Sequence, residues 1–290
     1  MELNRLKLRN FVPLIIALPS VVIGAVAMYL NKISIGVWSQ NIVALIISGF
    51  ISYLYLKEKP RFSKRNSFGF IVPITIILLF LTFLDSGLDG VHRWVSIGPI
   101  KLNVASIMLP ILIIELWRIL KILNWWHSMI ITIAVSILLA LQPDASQTTG
   151  FIFPMIILLL SKANKSVIRY SIISLLLVIP IISWIFIDSL PPVDYVEEIV
   201  LMVKTLGTVW FLIGIGSLAL LPLPFIIFPS KNYRLISMCL GLYFIIILIS
   251  TLFGNFPVPL MGYGISPIIG YFIAITWLLK VNTAVFKPQA

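Results

Sequence analysis

Polar positions in this chain are sparse and clustered. Between them run apolar blocks close to the ~20 residues a helix needs to cross a hydrocarbon layer. These blocks predict helices near 11–30, 38–56, 68–84, 103–123, 127–143, 148–161, 167–187, 199–228, 234–253 and 258–279, the sixth short and the eighth long. Inside lipid a backbone must pair its polar groups within the spanning segment, which a helix does. The apolar–polar alternation of porin-like strands is not present. The expected fold is therefore all-α, a single polytopic domain over 1–290 with about ten transmembrane helices.

Composition agrees: 60% of the 290 residues are hydrophobic and 11% are charged, too little polar surface to cover a soluble core. The first block is longer than the apolar stretch of a signal peptide and lacks a clear cleavage site, so it is read as a retained helix. The single cysteine, Cys239, lies within an apolar block and is read as a packing residue, which excludes a disulfide framework or cysteine metal cluster. No metal-ligand spacing and no nucleotide-binding glycine loop occur, and no motif would hold a divalent cation, so no cofactor is expected.

The loops carry the orientation. One side collects Arg5, Lys7, Arg9, Lys57, Lys59, Arg61, Lys64, Arg65, Arg118, Lys121, Lys162, Lys165, Arg169, Lys231, Arg234, Lys280 and Lys287 out of 21 basic residues. The other side holds Lys32, Arg93 and Lys101, while Lys204 falls within a helix. Because positive loops stay cytoplasmic, both termini are expected inside a bacterial cytoplasmic membrane. The acids do the reverse, with Asp85, Asp89, Asp144, Asp188, Asp194, Glu197 and Glu198 on the outer side. Topology and anionic inner-leaflet lipid account for the net charge of +11 without a nucleic-acid partner.

Three outer segments stand out. In Gly90-Val-His-Arg-Trp-Val-Ser-Ile-Gly98, Trp94 is placed like an interfacial anchor and Arg93 can hold a phosphate or carboxylate. In Gln142-Pro143-Asp144, the aspartate can cap the following helix. Pro257-Val-Pro259-Leu-Met-Gly-Tyr263-Gly264 reads as a broken helix start, tolerated at membrane depth only when buried in protein or lining a cavity.

In this order the three segments resemble the FtsW/RodA/SpoVE (SEDS) family of membrane peptidoglycan glycosyltransferases over roughly residues 70–280. Gly90, Arg93, Trp94 and Gly98 are similar to the family's G-x-x-R-W-x-x-x-G, and Gln142, Pro143 and Asp144 to its Q-P-D. Pro257-Val-Pro259-Leu and Gly262-Tyr263-Gly264-Ile-Ser266 are similar to its L-P-F-x-S-Y-G-G-S. The resemblance implies binding of an undecaprenyl-linked precursor (lipid II) at the outer face and its polymerisation into glycan strands, beside a class B penicillin-binding protein, in division, elongation or sporulation.

The chain also departs from the family. Asn103-Val-Ala-Ser106 followed by Leu109 replaces Q-P-S-E-x-x-K, so a glutamate and a lysine are missing, and the outer loop before helix eight shrinks to about 188–198. In that loop Pro192-Val-Asp194-Tyr-Val stands where the family carries its aspartate in a segment like H-T-D-F-I. The implied catalytic residue is Asp194, able to deprotonate an attacking sugar hydroxyl. Arg93, Trp94, Asp144 and Lys204 are the implied substrate contacts, Arg93 or Lys204 stabilising the departing diphosphate. The bland alternatives are a solvated acidic loop and a lysine that snorkels to the interface. Glu115, with Arg118 three positions on, reads as an ion pair in the inner half of its helix. Two other functions stay open: an accessory protein that holds the precursor or a transpeptidase without chemistry, and a flippase or transporter for lipid-linked sugars.

Overall fold

A computed structural model describes residues 11–58, 69–98, 100–164, 166–188 and 190–285. Its helices are α1 (Val12–Leu30), α2 (Ile35–Lys57), α3 (Ile71–Leu81), α4 (Val104–Ile122), α5 (Trp125–Leu141) and α6 (Ala145–Leu160). They continue as α7 (Val167–Leu176), α8 (Val178–Ile185), α9 (Ile199–Thr205), α10 (Thr208–Leu220), α11 (Leu223–Ile227), α12 (Arg234–Ser250) and α13 (Ile265–Val285). Between α3 and α4 lies an antiparallel hairpin, β1 (Trp94–Ile97) and β2 (Ile100–Asn103), pairing Trp94 with Asn103 and Ile97 with Ile100.

Among the described residues four segments, Ile35–Lys57, Val167–Ile185, Lys231–Ser250 and Ile265–Asn282, are long and apolar enough to cross a membrane. The outer faces of the bundle are apolar: Ile46, Phe50, Ile181 and Leu212 are each more than half exposed. A soluble protein does not carry such a belt, whereas lipid covers it without cost. The chain is an all-α polytopic membrane protein.

Since the driving force between helices in lipid is packing and hydrogen bonding, small residues mark the close crossings. α13 packs on α2 and α4, and α12 on α6. At Gly270 a β-carbon would collide with the backbone carbonyl of Ser106, so only glycine lets α13 approach α4 this closely. Hydroxyls tie helices together at depth, Ser20 to Ser217 at 3.1 Å and Thr276 to Ser52 at 2.7 Å.

The structure departs from the sequence expectation at several places, and the last helix, predicted from 258, begins only at Ile265 after the proline and glycine segment. The helix predicted over 199–228 is three pieces. Gly207 sits at φ 119°, which α-helix does not allow, and Pro222 starts α11. The Leu221 carbonyl is instead satisfied by the Tyr271 hydroxyl at 3.1 Å, and that of Phe225 by Ser237 at 2.8 Å. The helix predicted over 167–187 divides at Leu177, where the ring of Pro180 crowds the carbonyl four residues back. The segment following Gly90, expected as a loop, pairs into the hairpin around a turn at Gly98, φ 60°.

The hairpin, the 142–144 turn, the 186–198 loop and the 251–264 segment share one end of the bundle, where their residues surround a single cavity. This end holds Asp85, Asp89, Asp144, Asp188, Asp194, Glu197 and Glu198. The opposite end holds Lys57, Lys121, Lys162, Arg169, Lys231, Arg234 and Lys280. Arg5, Lys7, Arg9, Lys59, Arg61, Lys64, Arg65, Lys165 and Lys287 lie outside the described residues.

Candidate functional site

At the hairpin end a cavity of about 480 Å³ opens between the hairpin, the start of α6, the 190–197 loop, α12 and the start of α13. Arg93, just before β1, is buried in its wall and engaged on several sides. Its guanidinium donates to Asp188 and to the Pro143 carbonyl, its Nε lies 3.5 Å from an Asp144 oxygen, and its carbon is 5.4 Å from the centre of the Phe256 ring. One terminal nitrogen serves both hydrogen-bond acceptors, and Nε makes an ion-pair contact with Asp144 without a hydrogen bond. One guanidinium facing two carboxylates leaves a negative excess. Burial raises the Asp144 carboxyl above its ordinary range, with Arg93 acting against that shift.

Each residue of the Gln142-Pro143-Asp144 segment has a separate task. The Gln142 amide donates to Thr82 at 2.7 Å and to the Leu79 carbonyl at 3.1 Å, fastening the α5–α6 turn to the end of α3. The Pro143 carbonyl receives Arg93, and Asp144 caps α6 by accepting from Gln147 N–H at 3.1 Å.

The 256–264 segment is anchored by Asn41, buried within α2. Its amide donates to the Gly262 carbonyl at 2.9 Å and accepts from Gly264 N–H at 3.0 Å. Tyr263 donates from its hydroxyl to Gln40 at 3.0 Å and from its N–H to the Tyr195 carbonyl at 2.8 Å. The Val258 N–H donates to the Val196 carbonyl at 3.2 Å. The 195–196 backbone is thus laced to the proline segment, and the short loop is a docked wall rather than a solvated tether.

Of the implied substrate contacts, Arg93, Trp94 and Asp144 line the cavity, together with Pro257, Pro259, Tyr263 and Gly264 of the third motif segment. Gly90 and Gly98 sit at φ 82° and 60° and shape the turns on either side of Trp94. Asp194 and Lys204 are not brought in. Asp194 is exposed on the turn before α9, and Lys204 is exposed on α9 with its amine 5.8 Å from the Phe211 ring. The turn that exposes Asp194 carries Glu197 into the wall, where burial raises its carboxyl pKa against the N–H donated by Val193.

Sequence reading missed Glu197, Asp188 and Lys101, which lines the cavity from β2. It also missed the cavity floor, where Gln147 donates to Ser106 at 3.1 Å and accepts from the Tyr243 hydroxyl at 2.7 Å. The missing glutamate of the Q-P-S-E pattern was the available signal: Ser106 stands in its place and finds a neutral partner in Gln147. Among the described residues no group of His, Cys, Asp and Glu could hold a metal ion.

A second, larger space of about 810 Å³ runs down the bundle between α2, α4 and α13. Isoleucine is the commonest residue of its walls, and it shares Gln40, Ile100 and Ile265 with the first cavity. The two cavities therefore adjoin at these three residues, and the first carries Arg93, Lys101, Asp144 and Glu197 in its lining.

Fold and site together define a polytopic α-helical membrane protein with an amphipathic cleft at one face. No protein family profile and no curated protein matches the sequence. Solved structures do. The chain is similar to the crystal structure of a mutant of Thermus thermophilus rod shape determining protein RodA, with TM-score 0.70 and 18% identity over 96% of this chain and 98% of that one. Similarity to RodA without that mutation has TM-score 0.67, 18% identity and the same coverage. A chain from a peptidoglycan synthase complex, solved for the coordination of polymerization and crosslinking, gives TM-score 0.63 and 17% identity over 95% and 98%. This chain has the RodA fold.

Proposed function

We propose that this is a SEDS-type cell-wall protein that binds a lipid-linked sugar precursor of the lipid II class. The sugar head would sit in the hairpin-end cavity, and the polyprenyl chain in the adjoining part of the groove. The observation that carries the reading is the shared wall at Gln40, Ile100 and Ile265, where a cavity lined by Arg93, Lys101, Asp144 and Glu197 adjoins a groove rich in isoleucine. A ligand with one polar and one hydrocarbon end matches that shape and polarity. With basic loops at the opposite end, the cavity faces away from the cytoplasm and both termini lie inside.

The chemistry supported best is glycan polymerisation. An acceptor sugar hydroxyl attacks the anomeric carbon of the donor, the bond from that carbon to the diphosphate oxygen breaks, and polyprenyl diphosphate leaves. A carboxylate of the 194–197 turn takes the hydroxyl proton. Glu197 lines the cavity and its raised pKa suits a base, while Asp194 lies at the rim. Arg93 is neutralised by its own carboxylates, so Lys101 is the cation assigned to the diphosphate, and Arg93 keeps a positioning role. By resemblance the partner is a class B penicillin-binding protein, in keeping with the similarity to a chain of a synthase complex. The exposure of Asp194 favours a second reading, in which the chain holds precursor for a partner without reacting it.

Binding tests the reading. In nanodiscs, intact lipid-linked disaccharide should displace a fluorescent precursor, whereas soluble disaccharide or polyprenyl phosphate alone should compete at least about tenfold more weakly, the loss of one good set of contacts. Equal competition by bare polyprenyl phosphate would remove the head chamber from the account.

A further inference from the structure

The geometry points to a second lipid site, for an aminophospholipid headgroup, at Glu115 in the half of the groove remote from the hairpin. Glu115 is 1% exposed and lines the groove. One of its oxygens accepts from Arg118 at 3.2 Å, and the other, Oε1, is buried with no hydrogen-bond partner. It lies seven residues before the end of α4, roughly 10 Å inside the helix terminus at about 1.5 Å per residue. A carboxylate oxygen at that depth without a donor is costly, so the groove lacks one specific thing: an N–H or O–H aimed at Oε1.

The unmet oxygen narrows the choice of ligand, since Arg118, 37% exposed, already serves the other one. A headgroup with a primary ammonium brings both a positive charge and an N–H to Glu115 Oε1. A glycerol headgroup would supply the hydrogen bond without the positive charge. A quaternary ammonium would supply the charge without the hydrogen bond. Acyl chains then follow Ile47, Ile51, Ile114 and Ile273 along the groove wall. This lipid belongs to the leaflet opposite the hairpin and leaves the junction at Gln40, Ile100 and Ile265 open. The site depends on the groove alone, not on the cell-wall reading.

The test is native mass spectrometry of the full chain released from mixed micelles containing equal phosphatidylethanolamine, phosphatidylcholine and phosphatidylglycerol. One phosphatidylethanolamine should be retained with a preference on the order of tenfold, the worth of one charge-assisted hydrogen bond. Glu115→Gln should abolish that preference. If the variant does not survive purification, the N-methyl series on the wild type decides: retention should persist for the mono- and dimethyl headgroups and drop at the trimethyl one. Equal retention of all three lipids, preference for phosphatidylglycerol, preference unchanged in Glu115→Gln, or no drop at the trimethyl step would each overturn the site. None of these outcomes bears on precursor binding, which the competition experiment measures separately.

Discussion

Arg93 and Asp144 meet at 3.5 Å, Nε to Oδ2, each about 4% exposed, across a gap that the sequence spans with two whole helices. This contact joins the hairpin to the start of α6, and Asp188 joins both to the outer loop. Breaking a buried pair leaves an uncompensated charge, typically costing about 3–5 kcal/mol. Arg93→Ala should therefore lower the melting temperature of the detergent-solubilised protein sharply. Arg93→Lys should rescue little, since a compact ammonium lacks the extended planar group that faces Asp188 at one end and Asp144 at Nε. Full thermal stability in Arg93→Ala would show that the cluster does not hold this end together.

Asn41 makes a second such prediction. Its side chain satisfies one carbonyl and one N–H of the 262–264 backbone, and losing both leaves two polar groups unsatisfied at about 1–3 kcal/mol each. Asn41→Leu should loosen the proline segment, read as faster backbone hydrogen exchange over 256–264 with the α4–α13 contact intact. Gly270→Ala should do the reverse, disturbing the α4–α13 crossing and sparing that segment.

The helices were legible because a spanning helix must be a long apolar block, and the motif segments because Gly, Pro, Arg, Trp and Asp interrupt such blocks. The hairpin was hidden. Its strands have four residues each, and only the Gly98-Pro99 dipeptide between Trp-Val-Ser-Ile and Ile-Lys-Leu-Asn hinted at a turn. The breaks near Gly207 and Pro222 were submerged in continuous hydropathy. Arg93 and Asp144 were legible as site residues, but the partner Asp188 was not. Asp188 reaches it only through the third dimension, and without that partner Arg93 looks available for phosphate. Asp194 and Glu197 are three residues apart in one acidic loop, and which of them faces inward is set by the backbone pairing of 195–196 with 258–263.

pH separates two outer-side acids. Glu197 has its pKa raised from 4.5 by burial, so the folded state holds the proton more tightly than the unfolded chain. Its contribution is fully present below 4.5 and lost as pH rises through the folded value. Asp85 is lowered from 3.8, first by the Ser96 N–H at 2.7 Å, so its contribution is present above 3.8 and lost as pH falls. The melting temperature of Glu197→Gln relative to wild type should rise with pH across the Glu197 window. That of Asp85→Asn should fall relative to wild type as pH is raised from acid. Parallel curves for either pair would contradict the assigned environment.

Orientation is open to labelling. In a Cys239→Ser background, an impermeant thiol reagent applied outside cells should modify Ser86→Cys at the hairpin end and leave Lys162→Cys unmodified until the membrane is opened. Both positions are exposed. The opposite pattern would turn the protein over and put the cavity in the cytoplasm, away from any extracellular glycan.

The most direct measurement of the central claim is polymerisation of lipid II by the purified full chain, alone and with a co-purified class B transpeptidase, resolved by glycan-strand electrophoresis. Wild type should yield strands. Glu197→Gln should lose about 10²–10⁴-fold in rate, as expected for removal of a general base, and Asp194→Asn should lose less. An active Glu197→Gln with a dead Asp194→Asn would move the base to the rim. No strands from wild type with any partner tried, despite competitive binding of the intact precursor, would contradict the polymerase and leave a protein that holds its lipid-linked ligand for another enzyme.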